Sequence, residues 1–407
     1  MARALLSLAC LLLATLGARA ADASPADLNA ALGAPLWNES GASLWDEDVA
    51  AVAERLHCPP ESKTSSQSSY RLYPKSDLLL FGARPYSVAL YGREGKPERL
   101  SLVFANRGDW FGKDAAPDPR AFAAALKNDA ETIAAALTKA LGKPRQENFG
   151  SSTLQERVRR WDGNGQAFLL ATPRDAYVVL RIVPVADADK FGRPDPLSNG
   201  VLRDLLASRI ERRDNGDVVL RDIPMVDQGP KGYCVPATWE RYLRYLEVPA
   251  DMYVLANAGG TAAGGGTDPA AMADAADALA RSRGLQIVAS QEKLSLRLVA
   301  RNVDAGLPLM WACHAAPGME EKINQRMKER RAVTDWDAWA AAIAPERAPF
   351  TLSSQSDDGH MRLITGYNAK TGEIAISDSW GERMAERWLT VEEAQAVSQN
   401  QLYLIKW

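Results

Sequence analysis

Four cysteines in 407 residues are too few for a fold stapled by disulfides. An excess of charge of one sign is also missing. With 48 Lys and Arg against 51 Asp and Glu, the net charge of −3 leaves nothing to grip a phosphate backbone, so no nucleic acid partner is expected. Histidine is scarce. Only His57, His314 and His360 are present, and any imidazole chemistry must use one of them. Long apolar runs are lacking too: the one at Ala4 to Leu16 is short of the about 20 residues a membrane helix needs, and no later stretch comes close, so no membrane span is expected. What remains, 46% hydrophobic and 24% charged residues, is the composition of an ordinary folded chain. At roughly 150 residues per domain, two domains are expected.

Residues 1–20 read as a signal peptide: a basic start at Arg3, the apolar run, then Ala18-Arg19-Ala20 as a small-x-small cleavage pattern. The protein is therefore expected to be exported, to a periplasm or outside the cell, with 46 basic against 51 acidic side chains after cleavage. Residues 21 to about 75 carry little periodicity, and the polar stretch Glu61 to Ser69 reads as a loop. Strands are predicted at 78–80, 87–91, 100–104, 158–161, 166–170 and 177–183. Between them Asp118 and Pro119 start a helix whose apolar face is Phe122, Leu126, Ala130, Ile133, Leu137 and Leu141, closed by Gly142 and Pro144. Residues 21–185 thus form an N-terminal α+β domain. The polar, Pro- and Gly-containing stretch 186–200 is the linker, and 201–407 is a second domain large enough for an enzyme.

All the recognisable chemistry lies in that second domain. A Gly/Pro-rich loop delivers Cys234 to the start of a helix marked by Trp239, Tyr242, Leu243 and Leu246. The unpaired N–H groups and the dipole there favour thiolate over thiol. His360 opens the apolar strand 361–367, a turn at 368–372 follows, and the strand 373–377 runs back to Asp378. Such a hairpin returns a carboxylate to the histidine, where it can fix the tautomer and orientation of the ring.

Gln228 in Q-G-x-x-x-x-C, then the Gly-His strand, then Asp378-Ser379-Trp380-Gly381, resembles the papain-like cysteine peptidase superfamily, and within it the bacterial bacteriocin-processing, double-glycine type. The resemblance implies an α+β papain-like domain, with a helical half carrying the nucleophile at a helix N-terminus and an antiparallel β half carrying His and Asp. It implies Cys234 as nucleophile, His360 as base and acid, Asp378 as the group orienting it, and Gln228 as an oxyanion donor. Trp380 would shield the His-Asp pair from water, and Gly265 and Gly266 would line the substrate cleft. Peptide or protein is then the substrate, and no metal or organic cofactor is needed. Papain has asparagine where this chain has Asp378, and the transporter segments of genuine bacteriocin-processing peptidases are absent.

Two rivals use the same residues: acyl transfer to an amine in the manner of transglutaminases, and a binding module that has kept the fold without activity. The glycines at 264–266 also read simply as a flexible loop before the helix near Pro269. His57 and His314 are expected to have no chemical role. Cys58 and Cys313 can be paired or free, since connectivity is not readable from sequence. The charged segment Glu320 to Arg331 reads as a solvated helix, with a lid over the cleft as the sharper alternative.

Overall fold

The computed structural model describes residues 23–75, 77–110, 118–150, 154–173, 176–230, 232–262, 266–347 and 359–407. The expected signal peptide lies outside these residues, as does Gly265. The chain is α+β, with two eight-stranded sheets of antiparallel pairs. The first sheet runs from Pro60–Lys63 to Tyr177–Pro184, and the second from Ile210–Arg212 to Ser398–Lys406. Between them, residues 186–200 include the end of a short helix, Val185–Ala188, and the start of another, Asn199–Ser208.

The helix Pro119–Leu141 covers one face of the first sheet. The Asp118 carboxylate accepts from the N–H groups of Arg120 and Ala121, the six expected apolar positions are buried, and Gly142 ends the helix at φ 83°. The polar stretch expected to be a loop is instead a hairpin, Pro60–Lys63 with Gln67–Leu72. Its polar side chains have buried partners: Glu61 Oε1 accepts from Arg71 Nε at 2.5 Å. That is why polarity misled, since a strand needs only that its inward groups be satisfied. Conversely, 78–80 forms no strand, and Leu80 makes a single bridge to Ala83.

The second sheet has the strand order 286–289, 398–406, 309–314, 359–368, with 217–220 and 210–212 continuing it. The late strand Ser398–Lys406 therefore lies inside the sheet, between Gln286–Ala289 and Leu309–His314. The predicted hairpin forms as Gly359–Asn368 with Glu373–Ser377, in register Leu363 opposite Ser377, turning through Gly372 at φ 73°.

The helix Cys234–Tyr245 is buried on all sides. Val235, Trp239, Tyr242, Leu243 and Leu246 pack into the helices and sheet of the second half. Its polar face, Glu240 and Arg244, turns toward the first sheet, where Tyr91 Oη donates to Glu240 Oε1 at 3.0 Å and Arg71 lies 3.6 Å from the same carboxylate. No helix among the described residues is long and apolar enough to cross a membrane.

The charged helix is Pro317–Arg331, and it is not simply solvated. Arg326 and Arg330 are buried: Arg326 pairs with Glu393 at 2.6 Å, and Arg330 makes two 2.8 Å bonds to Asp217. Glu320 from its first turn reaches the back of the site described below.

Candidate active site

Cys234 is the first residue of its helix and is partly exposed, while the helix behind it is buried. His360 is nearly buried at the start of its strand. Its Nε2 sits 2.7 Å from Asp378 Oδ1, which leaves Nδ1 as the ring nitrogen for the Cys234 sulfur, with which His360 is hydrogen-bonded. Trp380 stacks on the imidazole, with ring centroids 4.2 Å apart and planes 19° apart, and is itself 37% exposed. It forms an outer wall over the His360–Asp378 pair.

Burial is the largest influence on the Cys234 thiol and raises its pKa. The hydrogen bond and charge of His360, with the backbone N–H groups of Met361 and Val235, outweigh it, and the thiol lies below its ordinary value. For His360, burial pulls the pKa down most strongly. The hydrogen bonds to Asp378 and Cys234 overcome this and raise it. Both shifts favour thiolate beside imidazolium. Among the described residues the other two cysteines, Cys58 and Cys313, are free and buried, and burial pushes both up to about 12. They belong to separate cores, Cys58 in the first half and Cys313 in the second, so they do not bridge.

These signs fix the expected pH dependence. A lowered thiol and a raised imidazole move the two limbs apart, so the reactive pair exists over a wider window than either free group would allow. Alkylation of Cys234 by iodoacetamide should already be fast well below pH 8.5, the value for free cysteine. A single rise centred near 8.5 would contradict the ion pair.

Gln228 and the Asp378 turn are joined. The Gln228 N–H donates to Ser379 O at 3.0 Å, and Ser379 Oγ donates to Gln228 Oε1 at 2.7 Å. The Gln228 carboxamide oxygen is thus occupied by Ser379, and its NH2 is the other hydrogen-bonding end of the group. Gly266 has φ +88° with open space where a Cβ would be, and its N–H donates to Gly232 O at 3.1 Å, two residues before Cys234. His57 lies in the first half. His314 ends the strand Leu309–His314, one position past Cys313, the cross-strand neighbour of His360.

Sequence reasoning missed what holds Asp378. Its carboxylate is fully buried and accepts three charged or ring donors: His360, Arg362 Nε at 2.7 Å and Arg387 at 2.5 Å. Burial alone would raise its pKa, but Arg362, the His360 hydrogen bond and Arg387 hold it far below the usual carboxylate range. Glu320 completes the cluster, bonding Arg362 and, at 2.9 Å, Arg387. One signal was available, because Arg362 lies two residues after His360 and so shares its face of the strand. Ser379 stands inside the D-S-W-G motif, where residue type alone gives it no role. For Arg387 and Glu320 no local pattern points to the site.

The cavity of about 580 Å³ between the two halves is lined by neither Cys234 nor His360. No curated protein matches the chain. Residues 220–403, which include Gln228, Cys234, His360 and Asp378, match the profile of the Peptidase_C39 like family. That segment is similar to this family, which is of cysteine-peptidase type.

Proposed function

We propose that the protein is an exported thiol hydrolase that cleaves peptide bonds through Cys234, His360 and Asp378. The observation that carries this reading is the buried Asp378–His360 contact at 2.7 Å, with the same ring bonded to a sulfur at a helix start. The Cys234 thiolate attacks the scissile carbonyl, and the oxyanion receives the Gln228 NH2 and a backbone N–H. His360 protonates the leaving amine, giving a thioester. Water, deprotonated by His360, then releases the acid and restores the thiol.

Asp378 keeps Nε2 protonated, so that Nδ1 is the nitrogen that exchanges protons with sulfur and substrate. Trp380 keeps water from the Asp378 contact. We take residues 21–185 and 201–407 as two domains joined by 186–200, the second with the papain-like division into helical and β halves. Export rests on the leader-like first twenty residues.

Digestion of a peptide library, with and without an added amine, tests the reaction. The expected products are free acids and new N-termini, with cleavage lost after iodoacetamide treatment. Amide products formed only with the added amine would replace hydrolysis by transfer. A library left intact by protein with an alkylatable Cys234 would remove the peptidase reading.

A further inference from the structure

The loop 221–230 has no strand partner, although it carries Gln228 toward the nucleophile. Side chains from the first half hold it. Ser62 Oγ accepts from Met225 N at 2.9 Å, Glu61 Oε1 accepts from Asp227 N at 2.9 Å, and Tyr73 Oη donates to Asp227 O at 2.5 Å. The residue immediately before Gln228 therefore has both backbone groups fixed by the first half. Directly after it, Gly229 sits at φ +72° against the Tyr73 ring, where an added Cβ would lie 2.9 Å from a ring carbon. Only glycine lets the loop pass that close.

The nucleophile is held in the same way. Tyr233, just before Cys234, is buried among Val103, Val179 and other residues of the first sheet, with its Oη 2.7 Å from Asn106 Oδ1. The fit is close, since a Cβ at Gly108 would lie 2.0 Å from that Oη. These contacts go to the loop backbone and to Tyr233, not to Cys234 or His360.

We infer that the N-terminal half is a permanent part of the catalytic apparatus, with Tyr73 and Glu61 acting as positioning residues that set Gln228 for the oxyanion. The inference rests on the proposed roles of Cys234 and Gln228. The first half then serves as a backing to a loop whose other anchors, Ser379 at Gln228 and Arg241 at Pro224 O, come from the second half.

Tyr73→Phe in the full chain is the test, because it keeps the ring against Gly229 and removes one hydrogen bond. A misplaced oxyanion donor should lower kcat about 10–100-fold with KM within about twofold. The alkylation rate of Cys234 should not change, because the sulfur–imidazole pair is held by other contacts. Ser62→Ala, which frees Met225 N, should behave alike and serves if the first variant fails to fold. An unchanged kcat in a folded variant overturns the inference, and so does a fall in alkylation rate equal to the fall in kcat. Wild-type Cys234 reacting no faster than free cysteine would instead refute the peptidase reading beneath it.

Discussion

Cys234→Ser is expected to lose at least about 10⁴-fold in kcat/KM while folding as before, as happens when one member of a catalytic triad is removed. The hydroxyl fits the same space, but His360 does not ionise it as it ionises a thiol. Labelling supplies an independent count. Cys58 and Cys313 are buried with pKa values pushed up to about 12, so native protein without residues 1–20, and hence without Cys10, should take up one equivalent of iodoacetamide and the variant none. Activity within tenfold of wild type would rule out covalent catalysis at this sulfur.

The second large effect is on stability. Asp378→Asn should destabilise the fold by about 3–5 kcal/mol, on the order of 6–20 °C in Tm, because the buried guanidinium groups of Arg362 and Arg387 keep only Glu320 as counter-charge. Papain-like enzymes that carry asparagine there make a neutral orienting group sufficient for catalysis. Here the charge is required by the surroundings, not by the imidazole. Adding Arg387→Met should recover part of the loss. The sign with pH is defined. A carboxylate depressed in the folded state contributes stability above its unfolded pKa of about 3.9, and that contribution is lost as pH falls toward the folded value. The Tm gap between wild type and Asp378→Asn should therefore be widest near neutrality and shrink below about pH 4. A constant gap would show that the loss is one of shape, not charge.

What was legible in the sequence was local or repeated. Asp118, six apolar positions and Gly142 specify one helix by themselves, and the turn after Asn368 brings Asp378 back to His360 over eighteen residues. What was hidden depends on partners far along the chain. Glu61 and Arg71 look like surface residues until each is seen as the other's buried counter-charge. Glu240 and Arg244 give their helix a polar stripe, which Tyr91, 149 residues before Glu240, and Ser69, 175 before Arg244, cover. The same holds at the site: Cys234, Gln228 and His360 announce themselves by residue type and order. Arg387 and Glu320 have no such mark, and only the fold shows that they neutralise one another around Asp378.

The interior place of the strand Ser398–Lys406 bears on when the candidate site can assemble during folding. The histidine strand sits two positions along the same sheet, and its neighbour Leu309–His314 has an open edge until this late segment inserts. A nascent chain that has already exposed Cys234, His360 and Asp378 still lacks a closed sheet to hold them. The strand that carries His360 therefore gains its full backing only once residues 398–406 have paired with Leu309–His314.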